Sequence, residues 1–131
     1  MQVDVAFPDQ ETITARSGEL SFKIGLPPDQ GGDPEAYGPF DLLLSALALC
    51  TGHHVRAFLQ QRGFPVSDAG LTVRAERGAQ SHLLETVTLE VRVPAEFPQK
   101  YEEALVRAMG QCLVKTQLGR QPDMQAVVVR G

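Results

Sequence analysis

The chain has 131 residues, of which 43% are hydrophobic and 21% are charged, and it contains nine prolines. This length is close to the commonest size of a single domain, and the apolar content is sufficient for an ordinary core, so the composition excludes wholesale disorder. Twelve Lys and Arg residues against sixteen Asp and Glu residues give a net charge of −4. Without a basic cluster to neutralise a run of phosphates, nucleic acid is a poor candidate partner.

The N-terminus has no charged segment followed by an apolar run, so we expect no secretory signal. The longest apolar run, residues 42–50, is far shorter than the ~20 residues of a membrane span. We therefore expect one cytoplasmic domain, residues 1–131, with no membrane partner. The two cysteines are too few for a disulfide scaffold, which leaves burial, metal binding or redox chemistry as their uses.

Three segments near the N-terminus alternate apolar and polar residues, which is the pattern of half-buried strands. These segments are residues 3–7, 13–15 and 20–26. Gly18 supplies the positive φ of a tight turn between the second and third, so the sequence predicts a three-stranded meander. Residues 27–39 then hold four prolines and three glycines. They predict a long loop, and loops of this length are commonly functional.

A helix is predicted over residues 39–62, because a proline suits its first turn and Asp41 lies near its positive end. Gly63 is placed as its C-terminal cap, and Pro65 prevents continuation. The first half, residues 42–50, is apolar on every side, so this helix must be buried nearly all round. Because so small a domain cannot easily enclose it, we expect a partner chain to cover one side.

The second half of the chain is predicted to contribute a hairpin, a helix and a last strand. Alternating apolar residues place the hairpin at 71–75 and 87–93. Apolar residues at spacings of three and four predict a helix over residues 99–118 with Cys112 on its apolar face. Alternation over residues 124–128 predicts the last strand. The order β-β-β-α-β-β-α-β makes this an α+β domain.

Both cysteines are predicted to line one core, and their residue types allow three uses. Free buried cysteine commonly packs as a small hydrophobe. Two packed helices can also bring thiols to disulfide distance, and His53 and His54 follow Cys50 at helical spacing as possible activators. Cys50, either histidine and Cys112 could instead bind zinc, but a fourth ligand is lacking, so we expect no metal. Otherwise the two histidines face a partner or solvent.

Two segments around the cysteines resemble the OsmC/Ohr family. The first is Gly31-Gly32 with Gly38-Pro-Phe-Asp-Leu-Leu-Leu-Ser-Ala-Leu-Ala-Leu-Cys50, and the second is Cys112-Leu-Val through Leu118, followed by Pro122. With the element order, the resemblance covers nearly the whole chain. It implies an intertwined homodimer, with two long central helices between sheets and paired cysteines at the subunit boundary. The best-known members of this family are thiol-dependent peroxidases that act on organic hydroperoxides.

The resemblance implies a role for each cysteine. Cys50 would be the peroxidatic residue, which the substrate oxidises to a sulfenic acid, and Cys112 the resolving residue, which condenses with it into a disulfide. A small thiol or dithiol would be the reductant, and no cofactor is implied. The activating arginine of the family lies in the N-terminal β region, where Arg16 is the only arginine before the central helix. Arg56, near Cys50 in sequence, is the alternative.

One position departs from the peroxidase branches of the family. Those branches carry a glutamate ten residues before the first cysteine, where this chain has Phe40. Asp41 instead resembles the acidic residue of the YhfA-like branch. Nine residues of helix place Asp41 on the face opposite Cys50 and about 13 Å away, so it acts across a dimer or only caps the helix. The departure keeps open a catalytically quiet dimer that binds a hydrophobic small molecule or a protein between its subunits.

Overall fold

The computed structural model describes residues 1–131 and divides them into two compact units, Met1–Leu43 and Leu44–Gly131. The first unit is a small sheet followed by a loop. The second holds most of a long helix, a two-stranded sheet and two shorter helices. The predicted α+β class is confirmed.

The sheet of the first unit has three antiparallel strands in the order β1-β2-β3. Their bounds are β1 Asp4–Ala6, β2 Ile13–Ser17 and β3 Leu20–Ile24. Gly18 has φ +58° in the turn between β2 and β3, where an L side chain would be strained. The predicted meander is therefore confirmed. The proline-rich loop that follows contains one short 3₁₀ turn, Pro28–Gln30.

The long helix α1 covers Pro39–Gln61, close to its predicted bounds. At its end Gly63 adopts φ +73°. The Gly63 amide donates to the Gln60 carbonyl at 3.1 Å, and the Phe64 amide donates to the Leu59 carbonyl at 3.0 Å. This pair of bonds is a Schellman motif, which satisfies carbonyls that the last helical turn leaves free. The predicted glycine cap is confirmed.

The core of the second unit forms where α1 packs with the hairpin and the helix that follows it. Strands β4, Gly70–Arg77, and β5, Leu84–Arg92, pair antiparallel with a register shift at Glu76/Arg77. The hairpin agrees with its predicted position. The buried cluster comprises Val55, Phe58, Leu59, Phe97, Leu105 and Met109.

The prediction of one continuous helix over residues 99–118 is wrong. The segment forms a 3₁₀ turn at Gln99–Tyr101, helix α2 at Glu102–Met109 and helix α3 at Leu113–Leu118. Gly110 ends α2, and its amide donates to the Val106 and Arg107 carbonyls, both at 3.1 Å. Glycine has a lower helix propensity than any residue except proline. The helical spacing of apolar residues continues across Gly110, so this spacing alone did not reveal that the helix is broken.

The prediction of a last strand over residues 124–128 is also wrong. The chain forms no helix or strand after Leu118, and Val128 is 90% exposed. A strand exists only when a neighbour completes its backbone hydrogen bonds, and no segment of this chain pairs with residues 124–128. The alternation of apolar and polar residues over 124–128 does not by itself provide a neighbouring strand.

Helix α1 is not buried nearly all round by its own chain. In residues 42–50 only Leu47 is buried, and Leu49 is 77% exposed. By length and composition alone α1 could cross a membrane, with a mean hydropathy of 1.4 over an 18-residue window, a property that core helices also have. The single chain therefore leaves most of the apolar first half of α1 without cover.

The Gly63 cap yields a stability prediction. Replacing Gly63 with Ala places a Cβ in a left-handed conformation, so we expect a loss of about 1 kcal/mol in the free energy of unfolding. An added Cβ would meet no atom within 4 Å, so the loss reports backbone strain alone. Urea titration measures it. The control is Gly25→Ala, where the Cβ also meets open space but φ is not positive. Equal effects at both positions would contradict this explanation.

Candidate functional site

The two cysteines, 62 residues apart in sequence, lie beside each other in the second unit. Cys50 is on α1, and Cys112 directly precedes α3. The Cys50 side chain lies close enough to the Cys112 sulfur to lower the pKa of the Cys112 thiol. Cys50 is partly exposed, whereas Cys112 is 0% exposed. The structure therefore brings together the pair that the sequence singled out and makes its members unequal in access.

The break between α2 and α3 sets the environment of Cys112. Its backbone turns to φ −59° and ψ 119°, which makes Cys112 the N-cap of α3. In this position Cys112 Sγ accepts a hydrogen bond from the Lys115 amide at 3.4 Å. The Cys112 carbonyl accepts from the Thr116 amide at 3.1 Å and so starts the helix. In an unbroken helix Cys112 would be an interior residue, and its sulfur would not accept a capping hydrogen bond from a backbone amide.

Opposing effects act on the ionisation of Cys112. Burial raises the pKa of its thiol, because a thiolate loses the solvation of water. The Cys50 thiol and the Lys115 amide, followed by the Thr51 hydroxyl and the Val114 amide, lie close enough to stabilise the thiolate, so together they outweigh burial and lower the pKa of Cys112. The neighbours of the buried sulfur therefore lower the pKa of its thiol despite its burial.

Thr51 is a member of this site that the sequence analysis missed. It is 0% exposed, and its Oγ1 makes no well-formed hydrogen bond although it lies near the Cys112 sulfur. The available signal was the row of residues spaced by four on α1, since Leu47, Thr51 and Val55 are all buried. The hydroxyl of Thr51 lies on that row, directly after a cysteine, and apolar neighbours cannot form a hydrogen bond with it.

Arg16 and Asp41 both belong to the first unit, Met1–Leu43. Arg16 is exposed on β2, and its Nε donates to the Gly18 carbonyl at 3.0 Å. Asp41 Oδ2 accepts from the Gly38 amide at 2.7 Å, in the first turn of α1. This contact is the returning half of a capping box, so Asp41 has a capping role. The activating role of each residue stays a prediction.

The histidines of α1 form a small group of their own. Arg56 Nη2 donates to His53 Nδ1 at 3.1 Å, and the His53 and His54 rings meet edge to face with centroids 5.6 Å apart. No three His, Cys, Asp or Glu side chains are grouped so that they could hold a metal ion. The zinc alternative from Cys50, a histidine and Cys112 therefore has no ligand cluster in this structure.

Residues 31–126 match the model of the OsmC family, described as OsmC-like protein. The chain belongs to the OsmC-like family. The match covers both cysteines and confirms the resemblance seen in the sequence, while the assignment to the YhfA-like branch stays a prediction. A search of curated protein sequences found no match.

Solved structures share the OsmC-like fold. A Psychrobacter arcticus 273-4 protein, described as an osmotic stress induced and detoxification response protein, has a TM-score of 0.72 at 18% identity, over 89% of this chain and 87% of that one. An organic hydroperoxide resistance protein OsmC from Legionella pneumophila has 0.63 at 19%, over 89% and 87%. The organic hydroperoxide resistance protein OhrB of Bacillus subtilis has 0.57 at 21%, over 90% of each chain.

The hydrogen bond from Cys50 predicts how Cys112 titrates. In Cys50→Ser a hydroxyl replaces the thiol donor, whereas Cys50→Ala removes it, so we expect the pKa of Cys112 to be higher in the alanine variant. Thiolate absorbance at 240 nm against pH measures both, with Cys112 as the remaining cysteine. The double variants that also carry Cys112→Ser provide the baseline. Identical midpoints in the two backgrounds would show that Cys50 does not act on Cys112.

Proposed function

We propose that this OsmC-like protein reduces organic hydroperoxides through Cys50 and Cys112 as a redox pair. The observation that carries the proposal is the pair itself, a partly exposed thiol against a fully buried one. The attacking thiol must be accessible to the substrate, whereas the resolving thiol needs to reach only the sulfur of the attacking cysteine. The names of two structural neighbours, both organic hydroperoxide resistance proteins, support this substrate class.

In the first step the Cys50 thiolate attacks the outer oxygen of the hydroperoxide. A sulfur–oxygen bond forms, the oxygen–oxygen bond breaks, and the leaving alkoxide takes up a proton to become the alcohol. The peroxide gains two electrons, and Cys50 becomes a sulfenic acid. The Cys112 sulfur lies beside the Cys50 thiol, so in this proposal it relays the proton that Cys50 gives up to the leaving alkoxide and is itself a thiolate again afterwards.

In the second step the Cys112 thiolate attacks the oxidised sulfur of Cys50. The disulfide bond forms, the sulfur–oxygen bond breaks, and hydroxide leaves with a proton as water. Both cysteines are then oxidised, and a small thiol or dithiol reductant of the cytoplasm returns them to thiols by exchange through a mixed disulfide. Arg16 would stabilise the attacking thiolate as the family resemblance implies, and Asp41 would act with it across a dimer.

We further propose that the working form is a homodimer, in which a second copy covers the apolar face of α1. Leu49 is 77% exposed, and Leu42, Leu43 and Leu44 are only partly covered. A water-exposed face of this kind is typical of a surface that another chain buries. The family resemblance implies the same assembly.

A second candidate function is the catalytically quiet dimer that binds a hydrophobic molecule. A cavity of about 210 Å³ favours it, lined by Leu89, Val91, Val106, Met109 and Lys115. Its volume is below the range of about 300–1,000 Å³ that sites for drug-sized ligands occupy. A small apolar group would fit, so the two candidates are separated by whether the thiols react.

The redox proposal predicts thiol consumption. One equivalent of cumene hydroperoxide should remove both free thiols of the wild-type chain and form a Cys50–Cys112 disulfide, counted with a thiol reagent and by mass spectrometry. Hydrogen peroxide, the comparison, should react more slowly, because it lacks an organic group to bind. In Cys112→Ser we expect a sulfenic acid on Cys50, trapped by dimedone. In Cys50→Ser neither product should form. If both wild-type thiols stay titratable after excess peroxide at neutral pH, the peroxidase proposal is wrong, and the catalytically quiet dimer that binds a hydrophobic molecule takes its place.

The dimer proposal predicts a dependence on the α1 face. Light scattering of the wild-type protein at micromolar concentration should give the mass of two chains, and its thermal midpoint should rise with protein concentration. Leu49→Glu buries a charge in the proposed interface and should shift the protein towards monomer. Gln60→Glu, an exposed position at the other end of α1, is the matched control and should remain dimeric. A stable wild-type monomer would remove the assembly from the proposal.

A further inference from the structure

We propose that the Thr51 hydroxyl is a positioning group for the resolving step, donating a hydrogen bond to Cys112 Sγ once Cys50 has been oxidised. The inference rests on the proposed peroxidase function and adds a third residue to it. Thr51 adjoins Cys50 in sequence, on α1, and lies near the Cys112 sulfur. It touches the reacting pair without being a nucleophile.

The state of Thr51 in the reduced site is the first observation. Its side chain is fully buried, and Oγ1 has no well-formed hydrogen bond. A buried hydroxyl without a partner destabilises a fold, and valine has nearly the same shape without that cost. On the same helical row, one turn on, the chain does place a valine, Val55. The hydroxyl at position 51 is therefore a donor beside the Cys112 sulfur that the reduced site does not engage in a well-formed hydrogen bond.

The change that oxidation makes around Cys112 is the second observation. In the reduced pair, the Cys112 sulfur faces the Cys50 thiol and the amides of Lys115 and Val114, with Thr51 nearby. When Cys50 becomes a sulfenic acid its S–H is lost, and the new hydroxyl is the group that must leave. Cys112, at 0% exposure, has no direct contact with solvent to compensate its charge. The Thr51 hydroxyl is the side-chain donor that remains for the attacking anion.

Single-turnover kinetics test this role. Thr51→Val removes the hydroxyl, and Thr51→Ser keeps it. After one equivalent of cumene hydroperoxide, the decay of the dimedone-trappable sulfenic acid should be roughly tenfold slower in Thr51→Val, as loss of one hydrogen bond to a charged group implies. The pH profile of that decay should shift to higher pH by about one unit. Thr51→Ser should restore both. Val55→Ala, one turn further along the buried row, controls for a change of packing and should keep the wild-type pH profile.

A second measurement needs no turnover, so it separates this inference from the proposed function. Cys50→Ala removes the S–H donor as oxidation does, and the Cys112 thiolate is then titrated at 240 nm with and without Thr51→Val. The groups facing the sulfur from α1 and α3 are then Thr51 and the two amides. A midpoint about one pH unit higher in the double variant supports the role of Thr51, even if no peroxide reacts. Coincident midpoints, or a wild-type pH profile of sulfenic acid decay in Thr51→Val, would overturn it.

Discussion

The contact between Cys112 and helix α1 is the constraint on which the site depends. It exists because helix α2 ends at Met109, the backbone leaves the helical conformation at Cys112, and a new helix begins at Leu113. The turn fixes the Cys112 backbone as a cap and directs its sulfur at α1 rather than along a helix surface. One weak helix former, placed between two short helices, thereby helps to determine which two sulfur atoms lie beside each other.

Burial and hydrogen bonding act against each other in this pair. Removing a thiolate from water is unfavourable, and the fold compensates with two backbone amides and the Cys50 side chain. Only a substitution by proline removes a backbone donor, and such a donor does not rotate away, so the two amides give Cys112 a constant part of its stabilisation. The side-chain donors are the variable part, because Cys50 changes its chemistry during the proposed cycle while Thr51 does not. In the proposed cycle, this division allows the same sulfur to relay a proton in the first step and to act as the nucleophile in the second.

The sequence was sufficient for features that local patterns determine. The meander, the hairpin, α1 and its Gly63 cap all follow from alternation, helical spacing and glycine placement. Two features were beyond it. The break after Met109 lies in an apolar pattern that continues across it, and the segment at residues 124–128 needs a partner strand that no local pattern supplies.

The cysteine pair was predictable as two inward-facing residues, but its details were not. Which sulfur is buried and which is accessible depends on three-dimensional packing, as does the direction of the pKa shift at Cys112. Thr51 shows the same limit of prediction from the sequence. Its row on α1 was legible in the sequence, but the absence of a partner for its hydroxyl is a property of the packed site alone.

The unpaired C-terminal segment has a consequence for the newly made chain. Val127, Val128 and Val129 form a β-branched run exposed to solvent, with no strand beside it. Short, apolar, β-prone windows of this kind seed aggregation between identical chains. Asp123 and Arg130 flank the window with opposite charges, in the positions where natural sequences place gatekeeper residues. The segment thus pairs a sequence suited to a strand with charges that discourage intermolecular stacking while it is uncovered.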